Sequence, residues 1–187
     1  MHAPYPDPAG LLELLSRAAG KRVLAVGDIY LDEMTEGAVN EVSLEAPIPV
    51  FEVHRRKHNP GAAGNAACNA AALGGAVQMV GVVGADPNAD IVREAFRVRG
   101  VETSGIVCDP ARPTSTYGKL LATAPNRPSQ EVLRLDTPRP QPLPPAIEAQ
   151  VIRQVEARAP EADIILVGDQ VSATITPAVR DAIRAAA

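Results

Sequence analysis

The sequence predicts an α/β layered fold built on a mostly parallel sheet, and three observations carry the prediction. Residues 22–27 and 77–83 are almost uninterrupted apolar runs, the pattern of strands covered on both faces. An Ala-rich stretch at 61–73, stopped by Gly74-Gly75, and a stretch opened by Asp86-Pro87 and stopped at Gly100 both read as helices. Strand and helix signals then keep alternating to the end of the chain, as in parallel sheets flanked by helices.

The elements follow in order. Leu11, Leu12, Leu14 and Leu15 form a helical stripe over residues 9–19, which Gly20 is placed to end. The first strand covers 22–27, a helix 61–73, a strand 77–83, a helix 87–99 and a strand 101–107. A helix over 147–158, a strand over 163–167 and a helix starting at Thr176-Pro177 complete the series. Two insertions break the rhythm, at about 36–55 and 114–135, and both alternate like strands. Prolines at 47 and 49 confine the first to an edge or flap. Both lie beside the candidate pocket segments and read as a β-lid; surface hairpins fit the pattern equally well. The proline-dense stretch 125–145 connects the lid back to the core.

With 187 residues, 46% hydrophobic and 21% charged, the chain suits one domain with a substantial core. A net charge of -4 and an aromatic content of 3% without Trp argue against a nucleic-acid or anionic-membrane partner. Cys68 and Cys108 match no metal spacing and suit a reducing compartment, and the N-terminus lacks the basic start and apolar centre of a signal peptide. No apolar segment reaches transmembrane length. The expectation is a soluble, cytoplasmic protein.

Ligands of open α/β sheets bind beyond the carboxyl ends of the strands. Asp28 and Asp32 fall there, after the first strand. Asp28 suits a cap on a turn or helix start better than a ligand contact. Asp32 stands among Ile29, Tyr30 and Leu31, and its carboxylate suits sugar hydroxyls. Gly61, Ala62, Ala63 and Gly64 would let a ligand approach the backbone. Asn65 and Asn69, one helical turn apart, each offer a donor and an acceptor, and tight helix packing explains them poorly. Arg134 and Asp136 either face the pocket or pair with each other. His2, His54 and His58 form no metal or triad arrangement, so no metal ligand is assigned. The run Arg55-Arg56-Lys57-His58 reads as a solvated loop, and Asp86 as a helix cap.

Gly27-Asp28, Leu31-Asp32, Ser43 to Val50, Pro60 to Asn65, Asn69, Leu73-Gly74, Val80 to Gly84, Arg112-Pro113-Thr114 and Leu133 to Asp136 occur in the order seen in the ribokinase-like (PfkB) carbohydrate kinases. The chain resembles that family from about 22 to 176, most nearly its heptose-phosphate kinase branch. The resemblance implies a ribokinase-like three-layer core with a small β-lid. It implies phosphoryl transfer from ATP, with Mg²⁺, to a hydroxyl of a sugar or sugar phosphate, and a homodimer through the lid. It carries sugar contacts onto Asp32, Gly61 and Asn65, and pocket or lid contacts onto Lys119, Arg134 and Asp169.

Departures from the branch also stand out. Glu41 stands for Arg, Leu44 for Pro, Tyr117 for Lys, Gly61-Ala62 for a glycine doublet, and Ser172-Ala173 for Lys-Gly. The Gly-Ala-Gly-Asp segment that supplies the family's catalytic base and anion hole does not occur in this sequence, so no catalytic residue and no nucleotide-binding residue is assigned. The chain stops inside a helix-forming run. The expectation is therefore the N-terminal portion of such a kinase domain over 1–187, truncated, carrying the sugar-binding half without the base and inactive alone. The rival expectation is a non-catalytic sugar-binding or regulatory module derived from such a kinase.

Overall fold

In the computed structural model, which describes residues 7–124, 127–138, 141–170 and 173–187, strand β1 (Arg22–Gly27) ends one residue before β2 (Ile29–Val42) begins. There the chain passes from one sheet to another. The first sheet is parallel, with β1 between β4 (Ala76–Val83) and β9 (Ile164–Gly168), and with the short strands β5 (Val101–Glu102) and β6 (Ile106–Cys108) on the far side of β4.

Side chains alternate across this sheet and so feed two cores. Val23 and Ala25 point to one face, where Val92, Phe96 and Ala67 come from α2 (Ala63–Ala72) and α3 (Pro87–Arg97). Leu24 and Val26 point to the other, where Val151, Val155 and Val179 come from α4 (Pro145–Arg158) and α5 (Pro177–Ala186). Helix, sheet, helix is the three-layer core expected. α1 (Pro8–Ala18) precedes it, and its leucine stripe stays in solvent: Leu11, Leu12, Leu14 and Leu15 are all exposed.

The second sheet has the order β3-β2-β7-β8, with β3 at Pro49–Ala62, β7 at Thr116–Ala124 and β8 at Arg127–Asp136. Its first hairpin is longer than the insertion read at 36–55, because β2 starts at Ile29 and β3 runs to Ala62. The β3 strand, which begins at Pro49 just after Pro47, lies at the sheet edge. Within the 125–145 stretch, residues 125, 126, 139 and 140 lie outside the described residues.

Several expected boundaries move by a residue or two, α3 ending at Arg97 and α4 starting at Pro145 among them, and two of the changes have a visible cause. The helix read at 61–73 begins only at Ala63, since Ala62 has φ +53° and still pairs with Ile29 in the β ladder. The strand read at 101–107 is two strands, because Ile106 N–H turns back to the Thr103 carbonyl at 3.0 Å. The helix starts at Asp86 and Thr176 hold, each side chain accepting from the amide three residues on. Among the described residues no helix is long and apolar enough to cross a membrane.

Candidate functional site

Asp32 lies in β2 directly opposite Asn59 of β3. The second sheet is pleated, so Tyr30, Asp32 and Met34 share one face. Across the parallel β2–β7 ladder, Tyr117 stands opposite Asp32 and Lys119 opposite Met34. Arg134 stands opposite Lys119, and Asp136 opposite Tyr117. A polar row from all four strands therefore shares this face, and α2 stands beside it.

Between that face and α2 lies a cavity of about 450 Å³, lined by Asp32, Asn59, Asn65, Cys68, Asn69 and Arg99, with Met34, Pro60 and Ala72 completing the wall. Three residues singled out from sequence, Asp32, Asn65 and Asn69, are thus brought together. Gly61 keeps this end open to Asp32: a Cβ there would come within 2.8 Å of Asp32 Oδ2. Arg99 and Asn59 were not read as site residues. Arg99 donates to Asn59 Oδ1 at 2.5 Å and to the Ala95 carbonyl at 2.8 Å. The contact joins residues 40 apart in sequence, and no local pattern signals it.

Lys119, Arg134 and Asp169 are not among the residues lining that cavity. Arg134 and Asp136 take the second course open to them and pair with each other, at 2.7 and 2.8 Å. The Arg134 guanidinium also lies 4.0 Å over the Tyr117 ring, which in turn stacks at 4.5 Å on Tyr30. Burial, with Tyr117 beside it, pushes the Tyr30 phenol well above its ordinary pKa. Asp169 follows β9 and pairs with Arg180 at 3.2 Å.

Asp28 is fully buried and serves as a clamp. Its Oδ2 accepts from Gln170 N–H at 2.8 Å and its Oδ1 from Thr174 N–H at 3.1 Å. Its carbonyl accepts from Ala63 N–H at 3.0 Å, and its own N–H donates to the Gly168 carbonyl. One residue thereby ties the ends of β1 and β9 to the start of α2. The packing at this junction is close: a Cβ on Gly168 would meet the Ala63 Cβ at 2.5 Å. Burial would raise the Asp86 carboxyl, but hydrogen bonds from Thr114, Ala89 and Asn88 outweigh it and hold its pKa low. Both non-glycine residues with positive φ, among those described, stand where the resembled branch has glycine: Ala62 at φ +53° and Ala173 at φ +58°. Ser172, the other half of the second departure, lies outside the described residues. Among the described residues no three His, Cys, Asp or Glu side chains converge as a metal-holding group.

Comparison with known proteins agrees with this architecture. Residues 21–130 match the model of the pfkB family of carbohydrate kinases. The chain is 34% identical over 164 residues to the bifunctional protein HldE of Geobacter sulfurreducens, which covers 88% of this chain and 32% of that protein. With the protein of the same name from Nitrobacter hamburgensis it shares 37% identity over 165 residues, or 88% and 33% of the two chains. It thus spans about a third of the length of these curated relatives. Among solved structures, phosphofructokinase-2 from Escherichia coli superposes with a TM-score of 0.60 at 16% identity, covering 90% of this chain and 50% of that one. Arabidopsis thaliana ribokinase, solved with ribose and ATP, gives 0.57 at 17% identity, covering 89% and 51%. These likenesses show the ribokinase-like fold.

Proposed function

The chain belongs to the pfkB family of carbohydrate kinases, and from that premise we propose that it carries the sugar-binding half of an enzyme that phosphorylates a sugar or sugar phosphate with ATP. One observation carries this reading: Asp32, Asn65 and Asn69 line a single cavity of about 450 Å³ between the second sheet and α2. A carboxylate that accepts, beside amides that both donate and accept, suits the vicinal hydroxyls of a sugar. Gly61 leaves room for the ring edge to reach Asp32. In this reading the second sheet is the lid over the ligand, with Lys119 and Arg134 on the ligand-facing side of that sheet but outside the cavity wall. Asp169 is held at the strand ends by the Asp28 clamp.

ATP and Mg²⁺ belong to the complete kinase in this proposal. The described residues offer no converging donor set for the metal, and no step on this chain is assigned to it. Nor does the sequence contain the Gly-Ala-Gly-Asp segment that would activate the hydroxyl and hold the transferred phosphate. The 187-residue chain is therefore expected to bind sugar without transferring phosphate. Cytoplasmic residence and pairing of two copies through the second sheet are parts of the same reading, the latter checked by sedimentation. The deciding experiment is calorimetric titration of the chain with sugars, alongside an assay for sugar-dependent ATP turnover. Sugar binding lost in Asn65→Ala, without turnover, supports the proposal; turnover by the pure chain overturns its second half.

A further inference from the structure

The cavity holds a cation whose placement the sugar-hydroxyl reading does not use. Arg99 lies just past α3, and its guanidinium is fixed at two points, the Ala95 carbonyl at 2.8 Å and Asn59 Oδ1 at 2.5 Å. Holding the head group in place before a ligand arrives removes part of the ordering cost of binding. A guanidinium has five N–H donors, so further donors remain after these two contacts. Among the described residues Arg99 has no ion pair: Glu94, on the last turn of α3, is taken by Arg97, and the cavity's own carboxylate is Asp32, across from Asn59. Because Asn59 accepts from Arg99 through its oxygen, its NH2 is left as a donor. Arg99 and the Asn59 amide thus add positive and donor character to a cavity whose carboxylate acceptor is Asp32, the cross-strand neighbour of Asn59. A neutral sugar satisfies the acceptor and leaves the positive charge uncompensated. A sugar bearing an anionic group satisfies both.

We propose that Arg99 is a specificity-determining residue that selects ligands carrying an anionic group, a phosphate ester or a carboxylate, over the neutral parent sugar. The inference rests on the sugar-site reading above and narrows its substrate class. A charge-assisted hydrogen bond to a fixed guanidinium makes the anionic form bind about ten-fold tighter or more.

The test is calorimetric titration of the full chain with ribose, ribose 5-phosphate and ribonate, and with fructose and fructose 6-phosphate. It is repeated on Arg99→Gln, Arg99→Lys and Asn65→Ala. Tighter binding of the phosphate esters or of ribonate by the wild-type chain, collapsing to within about two-fold of the neutral sugar in R99Q and partly restored in R99K, supports the inference. Which of ester and carboxylate is preferred identifies the anion. Equal binding of neutral and anionic forms, or a preference unchanged in R99Q, overturns the role of Arg99. If Asn65→Ala still abolishes neutral-sugar binding in that case, the site reading stands. If no probe binds the wild-type chain, or Asn65→Ala leaves all binding intact, the site reading and the inference fall together.

Discussion

The Asp28 carboxylate accepts the backbone N–H of Thr174 at 3.1 Å, joining positions 146 residues apart. The oxygen is wholly buried, and its partner oxygen holds Gln170. Removing it strands the buried Thr174 amide and takes the Gln170 amide from its partner. Asp28→Ala is expected to lose about 2–4 kcal/mol of stability in denaturant unfolding. A loss under about 0.5 kcal/mol, the size of an ordinary surface substitution, would show that the clamp is not structural.

Ala62 and Ala173 occupy backbone space that disfavours any side chain, at φ +53° and +58°. Ala62→Gly is expected to stabilise the fold by about 1 kcal/mol despite the extra freedom glycine gives the unfolded chain. Ala173→Gly should act in the same direction. A lower unfolding midpoint in either variant contradicts the assignment of strain there.

Arg22 holds the Asp163 carboxyl down to a pKa of about 2, through a 2.7 Å ion pair and a backbone hydrogen bond. A depressed folded-state pKa gives stability that is complete above the ordinary carboxylate value and lost as pH falls towards about 2. Asp163→Asn should therefore flatten that acid limb of the stability profile, followed by urea midpoints across pH. An unchanged acid limb would remove this pair from the account of acid sensitivity.

Asp32→Asn and Asn65→Ala should each weaken sugar binding about ten-fold or more with the fold intact, read by calorimetry beside circular dichroism. A variant that unfolds would instead assign the residue to the architecture.

Burial pushes the Cys68 thiol above its ordinary pKa, and the nearby Arg99 charge works against that rise. Arg99→Gln should therefore move the pH profile of Cys68 alkylation further upward, measured by site-resolved mass spectrometry. A profile that moves downward would mean that the guanidinium does not act on the thiol. The same reagent reports on occupancy, since a ligand in the cavity should shield Cys68.

What the sequence made legible follows from how each contact is built. β1 and β4 were readable end to end, because burial on both faces writes itself as a continuous apolar run. The inner half of the β2–β3 hairpin was not. Ile29-Tyr30-Leu31 is uniformly apolar, and Asn59 to Ala62 resembles a loop and helix start, so neither shows the alternation of an exposed strand. Asp32 and Asn65 could be singled out because each is a polar group set among apolar or small residues, although Asn65 is exposed on α2 and not buried. Arg99 was missed because its meaning depends on Asn59, 40 residues away, and the role of Asp28 depends on amides more than 140 residues downstream.

The junction around Asp28 also sets the mechanics of the second sheet. A single residue joins β1 to β2, none separates β3 from α2, and the Ala63 amide bonds the Asp28 carbonyl at 3.0 Å. Both strands of the long hairpin are thus pinned side by side at the same end. The hairpin has no slack with which to slide over the core, so any motion against it would be a rotation about the line through those two pins. Small rotations at Asp28 and Ala62 would carry its far tip, near residues 43–48, through the largest arc. The face bearing Asp32, which lies only four residues from the axis, would hardly move.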